Sequence, residues 1–147
     1  MRNSGPEKTF VEPLVLNWLK ANGFDPTVVD TSAVWNPQAN RYLRRQASES
    51  LPDIIANHGS LSCWIELKAP GQRSAINSKK SIHQRIFLIR KIRAGCFACV
   101  TDGVEHLRNL WSEYLNAETS TDKMHVLLMD LPEFRDSRQL TFSKPRR

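Results

Sequence analysis

The chain lacks any long apolar run. In its 147 residues no stretch approaches the roughly 20 apolar residues that a membrane-spanning helix needs, so we expect no membrane segment. Residues Met1–Pro6 have no apolar core, and we expect no secretory signal peptide. Cysteine is scarce, with only Cys63, Cys96 and Cys99. A small, odd number of cysteines without a secretory signal predicts reduced thiols and a cytoplasmic protein.

Cys96 and Cys99 have the C-x-x-C spacing, but the sequence offers no second pair of zinc ligands. His106 and His125 are the nearby candidates, and they are not spaced as a pair. The run Cys96–Val100 is typical of a buried strand, in which residues three apart face opposite sides. We therefore predict buried structural cysteines rather than a zinc site.

The chain carries an excess of basic residues. Lys and Arg number 21 and Asp and Glu 15, which gives a formal net charge of +6 with neutral His. Such an excess favours polyanionic partners such as nucleic acid or an anionic membrane surface, although many basic proteins bind neither. The length matches one domain, so we expect a single domain over 1–147, with its core at about 9–130 and a disordered basic tail at about 143–147.

Apolar spacing and turn residues predict alternating helices and strands. Helical spacing is found over residues 9–22, from Ser81 as a cap to Gly95, and over 104–115. Asn36-Pro37 indicates a turn. Strands 53–56 and 61–68 form a β-hairpin through a four-residue turn at 57–60. Shorter strands are predicted at 27–29, 96–100, 124–129 and 139–142. This order predicts an α/β domain with a mixed central sheet flanked by helices.

Two acids and a lysine come together at one end of the predicted hairpin. Residues i and i+2 of a strand share a face, so Glu66 and Lys68 point the same way, while Ile65 and Leu67 point into the opposite layer. Asp53 opens the partner strand. Pairing the start of the first strand with the end of the second brings Asp53 beside Glu66 and Lys68.

This triad has a structural and a chemical interpretation. An exposed hairpin face often alternates charges, and the Glu66–Lys68 pair alone is typical of such a surface. The run Cys63–Ile65 before Glu66 is an apolar core strand, however, and Asp53 directly precedes another. Adjacent carboxylates repel each other, which raises the pKa of one of them, and a divalent cation removes this conflict. Charged residues at the ends of buried strands therefore favour a site that holds a metal ion.

The runs Leu51–Ala56 and Trp64–Lys68 together resemble the PD-D/E-x-K nuclease superfamily. Within it, the pattern is similar to archaeal-type Holliday junction resolvases and to VRR-NUC domains, which continue with a helix carrying Gln and a strand after Gly. Gln84 and Gly95 stand in those places. The resemblance covers roughly residues 9–111 and implies a restriction-endonuclease-like fold with an α-βββ-α-β core.

The resemblance also implies an active site. It implies an Mg²⁺-dependent deoxyribonuclease, with Mn²⁺ able to substitute. The metal would be held by Asp53, Glu66 and the backbone carbonyl of Leu67. Lys68 would act on the attacking water, and Gln84 would position that water or Lys68.

The family further has a glutamate on the first helix that reaches the metal, and Glu12 stands at a similar spacing before Gly23. On a helical wheel Glu12 borders the apolar stripe beside Leu19. Two alternatives stay open. Glu12 can form a capping box with Thr9, and Glu7 is a rival for the metal-site acid if the helix extends by one turn.

Two basic clusters flank these residues, one ahead of Asp53 and one near Gln84. Their members are Arg41, Arg44, Arg45, Lys79, Lys80 and Arg85. We predict that they contact phosphates of duplex or branched DNA, with a solvated surface as the alternative. The segment 25–50, which shapes substrate choice in the family, lacks the short glycine-containing lead-in of many relatives, so the structure of the substrate stays open.

The predicted reaction is hydrolysis of phosphodiester bonds in DNA by a structure-selective endonuclease. The resemblance implies a homodimer, because relatives that cut both strands or junctions are dimers. Three alternatives remain: a restriction-type or nicking nuclease, a non-catalytic nucleic-acid-binding module that keeps the fold, and an acid cluster that binds only a structural metal ion.

Overall fold

A computed structural model describes residues 5, 7–29, 34–43, 51–74 and 79–133. The described chain starts with one π-helical turn, Glu7–Val11, and continues into ten helices and strands. In chain order these are α1 (Glu12–Ala21), β1 (Asp25–Val28), β2 (Val34–Asn36), β3 (Arg41–Leu43), β4 (Ile54–His58), β5 (Leu61–Leu67), α2 (Lys79–Arg93), β6 (Phe97–Thr101), α3 (Val104–Asn116) and α4 (Ser120–Asp130).

A four-stranded mixed sheet forms the centre of the fold, with strand order β1-β4-β5-β6. The strands β1, β4 and β5 pair antiparallel, and β5 pairs parallel to β6. A parallel pair needs a long crossover connection, which α2 supplies. The predicted mixed sheet flanked by helices is therefore confirmed. A separate pair, β2 and β3, turns at residues 37–40, where Asn36-Pro37 predicted a turn.

The hairpin of β4 and β5 has a tighter turn than the sequence predicted. His58 pairs with Leu61, so only Gly59 and Ser60 form the connection instead of residues 57–60. Gly59 has φ +61°, a left-handed conformation that glycine adopts without steric cost and that two-residue hairpin turns require.

Helices pack on both faces of this sheet. On one face, the α3 face, Trp111 contacts Phe97 with ring centroids 5.2 Å apart. Cys63 pairs with Phe97, so Cys63 shares that face and Trp64 points to the other. On this second face, the α2 face, Phe87 of α2 contacts Trp64 at 5.4 Å between centroids. Side chains at even-numbered positions of β5 therefore lie beneath α2.

The start of the first helix differs from the prediction. The π-helical turn precedes α1, and the N-cap of α1 is Val11, without a side-chain cap. The predicted capping box of Thr9 and Glu12 is therefore wrong. Pro13 lies in the first turn of α1, a position that proline tolerates.

The predicted strand at 124–129 is wrong, because these residues belong to α4. Short apolar runs do not separate strands from helices by periodicity, and Met and Leu favour a helix. The hydroxyl of Thr119 accepts a hydrogen bond from the N–H of Asp122 at 3.0 Å, a cap that starts the helix. The second predicted helix also begins earlier, at Lys79 rather than after Ser81.

Two predicted segments, the strand at 139–142 and the basic tail, lie outside the described residues. Among the helices of the described ranges, none is long and apolar enough to cross a bilayer.

Candidate active site

The hairpin register brings Asp53 and Glu66 together. Ile54 pairs with Ile65, and one step further along the same antiparallel register sets Asp53 opposite Glu66. Residues opposite each other in such a pair point to the same face of a sheet. A four-residue turn at 57–60 would instead have set Asp53 opposite Trp64. The two-residue turn thus fixes this backbone pairing, which is the one that the predicted juxtaposition of the two acids requires.

Asp53 is held by two neighbouring strands. Its carboxylate oxygen Oδ2 accepts a hydrogen bond from the N–H of Leu67 at 2.9 Å. Its backbone carbonyl accepts one from the N–H of Val29, just after β1, at 2.8 Å. The carboxylate is therefore oriented across the end of β5, half-buried rather than fully exposed.

The peptide between Leu67 and Lys68 turns its carbonyl toward the same place. The N–H of Lys68 donates to the carbonyl of Thr101 in β6 at 2.9 Å. The described chain contains no cis peptide bond, and in a trans peptide the C=O points opposite to the N–H. The carbonyl of Leu67 therefore points away from β6, to the side of β5 on which Asp53 lies. Two carboxylates and one carbonyl are oxygen ligands of the kind that Mg²⁺ prefers.

Buried polar side chains are few, and most of them belong to the predicted site. Within the described ranges they are Glu12, Glu66, Gln84 and Thr101, with 6%, 6%, 4% and 0% of their surfaces exposed. Burying a carboxylate without compensation costs several kcal/mol, roughly 2–7 even for a neutral polar group. The burial of Glu66 beneath α2 therefore indicates a specific electrostatic environment instead of an ordinary surface pair.

Glu12 is the first residue of α1 and follows directly on the π-helical turn, which contacts β5. It is buried, and its predicted capping partner Thr9 lies within the π-helical turn, not at the N-cap of α1. Glu7, the rival acid, lies in the extra helical turn that the alternative required, and its side chain is not among those described. No three His, Cys, Asp or Glu side chains of the described residues are gathered so that they can hold a metal ion. The candidate donors are thus Asp53, Glu66 and the Leu67 carbonyl.

The predicted phosphate contacts are only partly within the described chain. Arg41 lies in β3, Lys79 and Lys80 begin α2, and Arg44 and Arg45 fall outside the described residues. In Arg85 the Nε atom donates to the carbonyl of Pro132 at 3.0 Å. This bond fastens α2 to the segment after α4, which gives Arg85 a structural role.

Thr101 is a buried polar residue that sequence reasoning missed. It ends β6, accepts the N–H of Lys68 through its carbonyl, and lies 2.9 Å from Nδ1 of His106 through its hydroxyl. The sequence offers only a weak indication of its role, since Thr101 is simply a polar residue at the end of an otherwise apolar strand. The partners of its network, Arg73, His106 and Asp130, carry no local sequence signal because tertiary packing alone brings them together.

The cysteines behave as predicted from their apolar surroundings. Cys63 and Cys99 are buried, Cys96 is partly buried, and all three are free thiols. Burial raises the pKa of Cys63 to about 12, with a smaller contribution from Cys96. Burial also raises the pKa of Cys99, and the charge of Asp130 adds to this effect. Burial is therefore as predicted for Cys63 and Cys99, whereas Cys96 is only partly buried.

Comparisons of the chain with family models, with curated proteins and with solved structures give no match. The chemistry of the site residues is therefore the basis for a functional assignment.

Proposed function

We propose that this chain is a metal-dependent DNA endonuclease of the PD-D/E-x-K type, structure-selective in the manner of Holliday junction resolvases and VRR-NUC domains. One observation carries the proposal: Asp53 lies opposite the buried Glu66 on the same face, with the Leu67 carbonyl turned to the same side. Adjacent carboxylates repel each other, and a divalent cation bound between them stabilises both in the charged form.

The arrangement of elements supports a restriction-endonuclease-like fold. A helix, α1, is followed by the antiparallel strands β1, β4 and β5, then by α2 and the parallel strand β6. This is the α-βββ-α-β order that the resemblance implies, with the small β2–β3 pair inserted between β1 and β4. The insertion occupies part of the segment 25–50, which varies with substrate choice in the family.

Asp53, Glu66 and the Leu67 carbonyl fit a hard cation, because all three offer oxygen atoms at one end of the sheet. A bound Mg²⁺ or Mn²⁺ supplies Lewis acidity there: it lowers the pKa of water and offsets negative charge on the phosphate. The hydrogen bond from Leu67 N–H keeps Asp53 Oδ2 in a fixed direction, so little reorganisation is needed when the site is loaded.

Lys68 and Gln84 complete the proposed site. Lys68 lies two residues after Glu66 and therefore shares its face, where an ammonium orients the attacking water and stabilises charge that develops on the phosphate. Gln84 is buried within α2, the helix that covers this face. In the proposal its amide positions the water or the Lys68 ammonium.

Nicking of supercoiled plasmid in the presence of Mg²⁺ tests the proposal. We expect Lys68→Ala and Glu66→Gln each to lower the nicking rate by about 100-fold or more, the scale of losses seen when an electrostatic group is removed from an active site. Lys20→Ala, which removes an exposed lysine of α1, is the matched control and should nick like the wild type. Nicking that survives both site substitutions, or that ignores EDTA, contradicts the proposal.

A panel of labelled substrates defines the specificity. A four-way junction, a flap, a duplex end and a linear duplex are compared at equal concentration with Mg²⁺. We expect the branched substrates to be cut fastest. Preferential cleavage of one duplex sequence identifies a restriction-type enzyme, and binding without metal-dependent cleavage identifies a non-catalytic module.

A further inference from the structure

The backbone of Lys68 is fixed by Thr101. Lys68 directly follows β5, and its N–H donates to the Thr101 carbonyl at 2.9 Å. Thr101 is fully buried, with 0% of its surface exposed. Because the Lys68 side chain projects from this backbone, any displacement of Thr101 displaces the ammonium relative to Glu66.

The hydroxyl of Thr101 is itself held by a polar network on the α3 side. It donates to the carbonyl of Gly103 at 2.8 Å and accepts the N–H of Gly103 at 3.3 Å. The Nδ1 atom of His106, on α3, lies 2.9 Å from the same oxygen. The Nε2 atom of His106 lies 3.0 Å and 3.1 Å from the two carboxylate oxygens of Asp130, on α4.

Arg73 is the fourth member of this network and lies on the segment that follows Lys68. Its guanidinium donates to Oδ2 of Asp130 at 2.9 Å, to the Asp130 carbonyl at 2.7 Å and, through Nε, to the Val100 carbonyl at 2.8 Å. The segment 68–73 is thus attached at both ends to β6 and α4. We call the four side chains Arg73, Asp130, His106 and Thr101 the polar latch.

His106 connects the Thr101 hydroxyl to the Asp130 carboxylate through its two ring nitrogens. Removal of the imidazole therefore disconnects Thr101 from Asp130 and from the Arg73 guanidinium that Asp130 binds.

We propose that the polar latch positions Lys68 for catalysis. The inference rests on the proposed nuclease function for its catalytic part only. Arg73, Asp130 and His106 act through Thr101 and are positioning residues. Loss of the His106 side chain loosens Thr101 and with it the Lys68 backbone.

The charged groups around His106 are few. Asp130 and Arg73 contact it or its partner carboxylate, and Asp102 and Glu105 line the shallow groove that His106 also lines at the start of α3. Cys99, in β6 below, has its pKa raised by burial and stays a neutral thiol.

Amide hydrogen exchange of Lys68 tests the positioning without any reference to nuclease activity. At pH 6 we expect His106→Gln to lower the protection factor of the Lys68 amide by about 10-fold or more, because its acceptor Thr101 is released. His125→Gln, which removes an exposed histidine of α4, is the matched control and should leave the protection factor unchanged. Equal protection in both variants overturns the proposal. If His106→Gln does not fold, Arg73→Lys is judged by the same criterion, with Arg108→Lys as its control.

Cleavage kinetics test the catalytic part. For His106→Gln we expect kcat to fall about 10-fold at pH 6 with KM within about twofold, the pattern of a lost positioning interaction. An unchanged kcat in His106→Gln overturns the catalytic part. If the wild type does not cleave DNA but the Lys68 amide still responds to His106→Gln, the nuclease function fails and the latch stands.

Discussion

At the scale of single residues, the Asp53 carboxylate has two roles, one observed and one proposed. Its Oδ2 atom accepts the Leu67 N–H, which orders the end of β5, and its carboxylate is a proposed metal ligand. An asparagine at this position keeps an oxygen for the Leu67 N–H but loses the charge. Asp53→Asn therefore separates the two roles and is the appropriate variant for tests of metal binding.

Cys63 makes the stability of the protein dependent on alkaline pH. Its pKa is raised from 9.0 to about 12, so the folded state keeps the thiol proton where the unfolded chain releases it. Above pH 9 the unfolded state binds fewer protons than the folded state, and stability falls as the pH rises. We expect this thiol alone to remove about 1.4 kcal/mol between pH 8 and pH 10.

Urea unfolding of wild type and Cys63→Ala at pH 8 and pH 10 measures this loss of stability. The variant should lose less stability than the wild type over the same pH interval, whatever its starting stability. Cys96→Ala removes a thiol that is only partly buried and should retain most of the wild-type pH dependence. An identical loss in wild type and Cys63→Ala would show that the Cys63 thiol is not responsible.

The residues of the site illustrate what a sequence can predict. Strand periodicity is local, so it predicts that Glu66 and Lys68 share a face, and the hairpin predicts that Asp53 lies at the same end of the sheet. Arg73, His106 and Asp130 were missed. They lie 33 and 24 residues apart in sequence, and only the packing of α3 and α4 against β6 brings them together.

At the scale of elements, α4 shows how a cap decides between helix and strand. Its apolar run suits either structure, but the Thr119 hydroxyl satisfies the N–H of Asp122 in the first turn. We expect Thr119→Ala to lower the free energy of unfolding by about 1 kcal/mol, the usual cost of losing an N-cap. Thr121→Ala, at an exposed position within the same helix, should change it by less than about 0.5 kcal/mol. Equal effects in urea denaturation would contradict the capping role.

Helix α2 is basic, and no acidic residue within the helix neutralises its charge. Its sequence from Lys79 to Arg93 contains six Lys or Arg residues and no acid. The ammonium of Lys91 packs on the protein itself, 4.2 Å from the centre of the Trp64 ring, whereas Arg90 and Arg93 are exposed. Since α2 covers the face that carries Glu66, its exposed side is where we expect DNA phosphates to lie.

Binding of duplex DNA in EDTA, measured by fluorescence anisotropy over a series of salt concentrations, checks this expectation. Each lost phosphate contact lowers the slope of log K against log salt by about 0.9, so Arg90→Ala combined with Arg93→Ala should lower it by about 1.8. The matched control combines Lys20→Ala with Arg108→Ala, which removes two exposed charges from α1 and α3. If the control pair lowers the slope as much, binding is diffuse and α2 has no special part in it.

At the scale of the whole molecule, the proposed site lies at the end of the sheet, between the two layers of helices that cover its faces. Helix α2 covers one face of the sheet, α3 packs on the other, and the parallel strands β5 and β6 end side by side. The sheet and its two faces could be predicted from periodicity and connection lengths. The strand register could not be predicted, because it depends on a turn that is two residues shorter than the predicted turn at 57–60. That register sets which residue Asp53 opposes, so a single turn determines whether the two acids meet.

A cation bound between Asp53 and Glu66 should also stabilise the folded chain, because the unfolded chain cannot hold the two carboxylates at one point. At a free Mg²⁺ concentration ten times its Kd, the gain is about 1.4 kcal/mol, and it should appear as a rise in melting temperature that EDTA reverses. Asp53→Asn should melt near the wild-type temperature without metal and lose the Mg²⁺-dependent rise. Asp122→Asn, at an exposed position of α4, should keep it. A rise that survives Asp53→Asn places the cation elsewhere, and a rise without DNA cleavage identifies a structural metal ion.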